Sequence, residues 1–180
     1  MDQKELIALK NKATELRIRA VDMIWKAQSG HPGGSLSVAD FMAACYFRYM
    51  SVDPQNPRWA DRDRFVLSKG HVAPGLYSIL ARCGFFPGEE LLTLRKLDSR
   101  LQAHPNMNMT PGVDMSTGSL GQGISTAAGM AKGAKFLKKD VNVYTLLGDG
   151  ELAEGQVWEA AMSAAHYGLD HVIASGEDIN

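Results

Sequence analysis

The chain has 180 residues, of which 19 are basic and 20 acidic, so its formal net charge is −1. This balance argues against nucleic-acid binding as the main function, because nucleic-acid-binding domains are usually strongly basic. The length suits one domain with a proper core. No apolar run is long enough to span a membrane, and the N-terminus lacks an apolar signal-peptide core. Cys45 and Cys83 form no CxxC pair, so we expect no disulfide framework or cysteine metal site, and a reduced, cytoplasmic protein.

The first part of the chain is predicted to be mostly helical. Apolar residues between positions 6 and 27 recur at steps of three and four, which predicts a long helix that ends at Gly30. Residues 32–34, Pro-Gly-Gly, predict a tight loop. A second helix is expected over 37–50, because that segment begins with a pattern similar to a capping box.

Strands and helices then alternate. Residues 64–68 predict a short buried strand, and the apolar run 141–147 predicts a strand buried on both faces. A third strand begins at 171–174. The remaining segments predict helices over 75–83, 88–97, after 118–123 and over 154–167, with a loop over 102–118. This order predicts an α/β fold with a parallel sheet between helices. Because three strands leave poorly covered edges, we expect residues 1–180 to form a single domain that is incomplete at its C-terminus.

Polar residues follow two of the predicted strands, where an open α/β sheet binds its ligands. Asp149 lies between two glycines after the second strand, and a lone carboxylate there suits a hard cation such as Mg²⁺ that also holds phosphate oxygens. The glycine-rich run 118–123 opens a helix whose free amides suit a phosphate. Taken alone, each pattern is equally typical of a plain strand-to-helix turn or of close helix packing.

Three of the five histidines, His31, His71 and His104, lie in loops flanked by glycine or proline. A single loop histidine is usually only exposed, but three in such settings favour a shared site. Imidazoles titrate near neutrality and pass protons to and from hydroxyl groups, so these three are the candidate catalytic residues.

The helix predicted after residue 153 begins with acidic residues. Glu154 and Glu159 either complement the positive end of that helix or form a carboxylate network at a subunit interface. Trp158 is expected to lie in the core.

Five runs occur in an order that resembles transketolase: SGHPG at 29–33, LSKGH at 67–71, AHP at 103–105, STGSLGQGI at 116–124 and LGDGELAEG at 147–155. The chain is most similar to the N-terminal subunit of transketolases that are made as two polypeptides. The resemblance covers roughly residues 5–174, and the five ordered runs together are specific although each is modest alone.

The resemblance implies the diphosphate-binding domain of a thiamine-diphosphate enzyme. It implies that Asp149 binds Mg²⁺ or Ca²⁺ and that His31 and His104 contact the hydroxyls of a sugar phosphate. Glu154 and Glu159 are implied in a carboxylate network across a dimer interface. The implied cofactor-binding residues are His71, Gly118, Ser119, Leu120, Asp149, Gly150 and Glu154.

The end of the chain departs from the family pattern. The family's second metal ligand is an asparagine at the end of the next strand, but the count places Ile179 at or beside that position, and Asn180 fits only with a one-residue slip. The glutamate that activates the cofactor's aminopyrimidine belongs to the family's second domain. We therefore expect a truncated section that needs a partner chain carrying the pyrimidine-binding domain, and that associates with itself as a homodimer or heterotetramer.

The implied reaction is transfer of a two-carbon ketol unit from a ketose phosphate to an aldose phosphate, as in the pentose phosphate pathway. Dihydroxyacetone synthase and deoxyxylulose-phosphate synthase remain alternatives, as does a non-catalytic remnant or interaction module. A nucleotide-binding Rossmann domain is the weakest interpretation, because no Gly-x-Gly-x-x-Gly follows the first strand.

Overall fold

Three short strands form a parallel sheet whose spatial order follows the chain. The computed structural model describes residues 1–177. In it β1 (Arg64–Leu67) and β3 (Val172–Glu177) lie on either side of β2 (Val143–Gly148). All six residues of β2 are buried, as expected for a central strand covered on both faces. The predicted α/β fold with a parallel sheet between helices is confirmed.

The helices form two layers. Phe65, Leu67 and Leu146 face the first layer, while Val66 and Leu147 face the second. The first layer contains α1 (Gln3–Ala27), α2 (Pro32–Ser37), α3 (Ala39–Ala44) and α4 (Ala73–Cys83), and the second contains α5 (Gln122–Phe136) and α6 (Gly155–His166). The strand alternation therefore divides the core between a large cluster and two smaller ones. None of the helices in residues 1–177 is long and apolar enough to cross a bilayer.

The long first helix follows its sequence pattern. Asp2 caps its start by accepting a hydrogen bond from the Glu5 amide at 2.7 Å. Its inner face includes Leu16 and Met23, both buried. The helix ends at Gln28, which adopts a left-handed φ of 52°, two residues before the glycine predicted to end it.

The predicted loop over residues 32–34 is wrong, because Pro32 begins α2 there. Proline is favourable at the first position of a helix, where no amide is needed. Gly34 then lies directly against the Val72 side chain, where a Cβ would clash. The expected helix over 37–50 is divided differently: Ser37 ends α2, and Val38, whose side chain forms no capping hydrogen bond, precedes α3. A π-helical turn, Cys45–Tyr49, follows α3.

One later element also differs from the predictions: the expected helix over 88–97 is a short 3₁₀ helix, Gly88–Thr93. The third strand is present as predicted, and its pairing with β2 continues past Ala174 to the Gly148–Glu177 pair. Backbone hydrogen bonding in a parallel ladder does not require apolar side chains, so the polar residues after Ala174 still extend the strand.

Buried carboxylates hold the amino ends of the strands. Asp114 accepts a hydrogen bond from the Phe65 amide at 2.8 Å and pairs with Arg62, and its side chain is 3% exposed. Asp63 accepts from the amides of Ser51 and Asn142. This end of the sheet is therefore closed by internal polar contacts.

Small residues let α5 begin directly against the end of β1. A Cβ at Gly123 would lie only 2.6 Å from the Ser68 Cα. Farther along the same face, Ala127 and Ala131 are buried. The glycine-rich run at the start of α5 therefore serves close packing of the helix against β1.

A matched pair of glycines in α5 tests this contact. Gly123→Ala should lower the free energy of unfolding by about 2 kcal/mol, since its methyl group must push helix and strand apart. Gly129→Ala has nothing within 4 Å of its new methyl group and should raise stability by up to about 1 kcal/mol through helix propensity. Urea unfolding of both variants measures this. Equal effects of the two substitutions would contradict the close packing.

Candidate active site

The loops that leave the carboxyl ends of β1 and β2 are neighbours. Leu67 pairs with Leu146 in the parallel ladder, so the residues that follow the two strands lie at the same edge of the sheet. A 3₁₀ turn, Gly70–Val72, follows β1, and another, Gly150–Ala153, follows β2. The sequence places candidate site residues in both turns.

Glu151 links three of these loops through one buried carboxylate. Its residue is 2% exposed. The Ser68 hydroxyl and the Gly121 amide donate hydrogen bonds to Oε1, the latter at 2.8 Å. The Gly148 amide donates to Oε2 at 3.0 Å. The end of β1, the start of α5 and the end of β2 are thereby fixed relative to one another.

Backbone contact fixes the same loops without side chains. A Cβ on Gly70 would lie 2.7 Å from the Thr117 carbonyl carbon and 2.8 Å from the Gly118 nitrogen. Gly118 itself has a φ of +157°, a conformation that favours glycine. The turn after β1 therefore packs directly against the glycine-rich loop.

The structure brings the three predicted histidines together. The rings of His31 and His71 meet edge to face with centroids 5.0 Å apart. The His104 ring packs over Gly118, where a Cβ would lie 3.1 Å from its Cδ2. His31 precedes α2, so three separate loops contribute one histidine each.

The surroundings of His71 and His104 favour neutral imidazoles. Burial lowers the pKa of His71, and the positive charges of His31, Lys69 and His104 lower it further, against an opposing effect of Glu151. Burial also lowers the pKa of His104, followed by the charges of Arg95 and His31. A neutral imidazole both donates and accepts a hydrogen bond, which is what a hydroxyl-rich ligand requires.

Arg95 joins two of the histidine loops. Its guanidinium donates to the Ser29 hydroxyl, close to His31, at 2.6 Å. Its own amide donates to the Leu101 carbonyl, near His104, at 2.9 Å. The Arg95 Nε is buried and has no hydrogen-bond partner within the described chain. The residue thus places a positive charge beside the histidine cluster.

Asp149 offers a carboxylate that no protein group occupies. The residue is exposed, and no hydrogen bond or ion pair reaches its side chain from residues 1–177. Beside it, a Cβ on Gly150 would meet nothing within 4 Å. Residues 1–177 contain no group of three acidic, histidine or cysteine side chains arranged to hold a metal. A free carboxylate beside open backbone fits a hard divalent cation that also binds phosphate oxygens.

The remaining predicted cofactor residues surround the glycine-rich loop. Ser119 is exposed and Leu120 partly buried just before α5. Glu154 packs on Gly121, where a Cβ would lie 3.0 Å from the Glu154 Cβ. Asn180, predicted as a metal ligand, lies outside the described residues.

The prediction that Trp158 lies in the core is wrong. The residue is 59% exposed, and its indole nitrogen donates to the Leu152 carbonyl at 2.9 Å. The buried positions of α6 are Val157 and Ala160, and Trp158 points away from that face. Glu159 is exposed as well.

Two residues with clear roles in the geometry are not among the residues predicted from the sequence. Glu151 stands inside the run 147–155, and a carboxylate beside a glycine-rich turn is a usual acceptor for loop amides, so a signal was present. No sequence signal indicates Arg95, because its hydrogen-bond partner Ser29 lies 66 residues away in the chain.

Removing the Arg95 charge should raise the pKa of His104. In Arg95→Met one of the positive charges that disfavours the imidazolium is gone, while burial and His31 still act. The pKa of His71 should change less, since Arg95 is not among the charges that lower it. An NMR titration of the histidine ring signals measures both values. A His104 pKa that stays the same or falls would contradict the assignment.

Comparison with known proteins places the chain in one family. Residues 9–179 match the family described as transketolase, thiamine diphosphate binding domain. The 6-deoxy-6-sulfo-D-fructose transketolase subunit SqwG of Clostridium sp. (strain MSTE9) is 49% identical over 95% of this chain and 62% of its own length. Human transketolase is 49% identical over 96% of this chain and 28% of its own length.

Solved structures of transketolases are similar to the structure of this chain. Transketolase from Campylobacter jejuni superposes with a TM-score of 0.91 at 36% identity, over 99% of this chain and 29% of that one. Transketolase from Leishmania mexicana gives a TM-score of 0.90 at 35% identity, over 93% of this chain and 27% of that one. The chain spans less than two thirds of each of these relatives. It belongs to the family of transketolase thiamine diphosphate-binding domains.

Proposed function

We propose that this chain supplies the diphosphate-binding and sugar-binding half of a transketolase active site. The observation that carries the proposal is the Glu151 linkage, which holds the turn of His71, the loop of Gly118 and the turn of Asp149 at one edge of the sheet. The reaction is transfer of a two-carbon ketol unit from a ketose phosphate to an aldose phosphate. Relatives named as transketolases or as parts of them favour this reaction over that of dihydroxyacetone synthase.

Thiamine diphosphate and Mg²⁺, or Ca²⁺ in its place, are the proposed cofactors. When bound, thiamine diphosphate supplies a carbanion that attacks the donor carbonyl and a thiazolium that holds the resulting charge. In this chain Asp149 would bind the cation, and the open backbone at Gly150 would approach the diphosphate. The other proposed contacts to the cofactor are His71, Gly118, Ser119, Leu120 and Glu154.

The histidines are proposed to bind the sugar substrate and to exchange protons with it. His104 packs over Gly118 and His31 contacts the ring of His71, and each would exchange hydrogen bonds with substrate hydroxyls. Burial and neighbouring charges lower the pKa of His104, so it meets the substrate as a neutral imidazole able to accept a hydroxyl proton and return it.

A partner chain is proposed to complete the site. Two relatives are themselves parts of transketolases made from more than one chain: SqwG, and the matching component of the apulose-4-phosphate transketolase of Phocaeicola vulgatus, which is 44% identical over 88% of this chain and 56% of its own length. We infer that a C-terminal partner contributes the pyrimidine-binding domain and the glutamate that activates the aminopyrimidine.

Self-association is proposed through the second helical layer. α6 exposes Trp158 and Met162, which are 59% and 66% exposed, and contiguous apolar surface of this kind is typical of interfaces. Glu154 and Glu159 lie exposed on the same helix or at its start, where a second copy would meet them. We propose a pair of these chains with two partner chains, in the cytoplasm and serving pentose phosphate metabolism; the two free cysteines suit a reducing compartment.

Asp149→Ala should abolish metal-dependent cofactor binding and leave the fold intact. The carboxylate is exposed and makes no contact within the described chain, so only the ligand needs it. Calorimetric titration with thiamine diphosphate and Mg²⁺ measures the effect, and Asp170→Ala, an exposed carboxylate just before β3, is the control. Equal affinity in the parent protein and in Asp149→Ala would contradict the proposed metal ligand.

The isolated chain should not catalyse ketol transfer. Purified protein with thiamine diphosphate, Mg²⁺ and ketose and aldose phosphates should stay inactive until a chain with the pyrimidine-binding domain is added. A coupled assay for the aldose phosphate product measures turnover. Robust turnover by the isolated chain would contradict the need for a partner.

A further inference from the structure

We infer that Glu151 is a positioning residue: it sets cofactor affinity by fixing the three loops that surround the ligand, without touching the ligand itself. This inference rests on the proposed function. The residue follows Gly150, but its carboxylate turns inward, away from the exposed edge where the Asp149 side chain lies.

All three partners of Glu151 are donors, and each belongs to a different loop. Ser68 ends the segment that leads to His71, Gly121 opens α5, and Gly148 precedes Asp149. An ionised carboxylate has only acceptor oxygens, so it satisfies all three. Hydrogen bonds to a charged group are also stronger than those between neutral groups.

A glutamine of the same shape cannot replace this arrangement. Its amide carries one acceptor oxygen and one NH₂ group. If the oxygen faces Ser68 and Gly121, the NH₂ group faces the Gly148 amide, and two donors then oppose each other in a buried space. In the reverse orientation the NH₂ group faces the Gly121 amide, which loses its acceptor, although the Ser68 hydroxyl can turn to accept a hydrogen bond from that group. Glu151→Gln should therefore loosen one loop or the other while nearly conserving volume.

Asp114 provides a matched control at the opposite end of the same sheet. It is also a buried carboxylate and accepts a backbone hydrogen bond, from the Phe65 amide at 2.8 Å. Its ion pair with Arg62 is equally internal. Removing either carboxylate should destabilise the fold, but only Glu151 contacts the loops proposed to hold the cofactor.

The experiment compares the parent protein with Glu151→Gln, Glu151→Ala and Asp114→Asn, each at a temperature where circular dichroism shows it folded. Thiamine diphosphate is titrated in the presence of Mg²⁺ and followed by calorimetry. We expect both Glu151 variants to lose affinity by about 10- to 100-fold, as outer-sphere substitutions at metal sites do, and Asp114→Asn to bind like the parent.

Amide hydrogen exchange supplies a readout that needs no ligand. The Gly121 and Gly148 amides should be protected in the parent and in Asp114→Asn. In Glu151→Ala both should exchange faster. In Glu151→Gln at least one of these two amides should exchange faster.

The outcomes separate this inference from the function on which it rests. If the parent binds the cofactor and the Glu151 variants bind it equally well, or if the amide protection is unchanged, the positioning role is overturned and the proposed function stands. If Asp114→Asn loses as much affinity as the Glu151 variants, the loss reflects general destabilisation, and the positioning role is again overturned. If the folded parent binds no cofactor either alone or together with a chain that carries the pyrimidine-binding domain, the proposed function itself is overturned and this inference with it.

Discussion

A carboxylate buried among backbone loops needs hydrogen-bond donors from those loops, and Glu151 accepts three such hydrogen bonds. An unsatisfied buried charge costs several kcal/mol, on the order of 3–5 when one partner of a buried pair is removed, so this requirement constrains all three loops together. The glycines beside it complete the constraint, because Gly70 and Gly123 bring backbone against backbone where any side chain would clash. Asp149 and the histidines lie at the outer part of the same edge, where a ligand can contact them.

The division between inner and outer residues explains how one edge of a small sheet serves both stability and binding. Residues that face inward, such as Glu151 and Ser68, use their hydrogen-bonding capacity within the chain. The Asp149 side chain forms no hydrogen bond or ion pair within the described residues. The histidines differ among themselves: His71 is partly buried, whereas His31 and His104 are exposed. Desolvation and positive neighbours lower the pKa of His71 and of His104. Neutral imidazoles at these two positions, beside a proposed anionic cofactor site, are suited to exchange protons with a sugar.

Much of this arrangement could be predicted from local sequence. The burial of β2, the small-residue face of α5 and the meeting of the three histidines all follow from short-range patterns combined with the rule that parallel strands present their carboxyl ends together. The features that could not be predicted depend on tertiary packing. α2 forms through Pro32 and Gly34, residues that usually interrupt helices, because proline is tolerated at a helix start and Gly34 lets Val72 approach. Trp158 lies one position from the buried stripe of α6, and no short-range pattern reveals Arg95, whose hydroxyl partner is distant in sequence.

The central claim is that the carboxyl edge of the sheet, and not the amino edge, is the ligand site. NMR chemical-shift mapping with Mg²⁺ and inorganic pyrophosphate, the part of the cofactor that this chain is proposed to hold, tests it most directly. The account predicts that the amides of Gly118, Gly121 and Gly150 shift with increasing ligand, while those of Val113 and Asp114 at the amino edge do not move. Shifts confined to the amino edge, or none at saturating pyrophosphate and Mg²⁺, would contradict it.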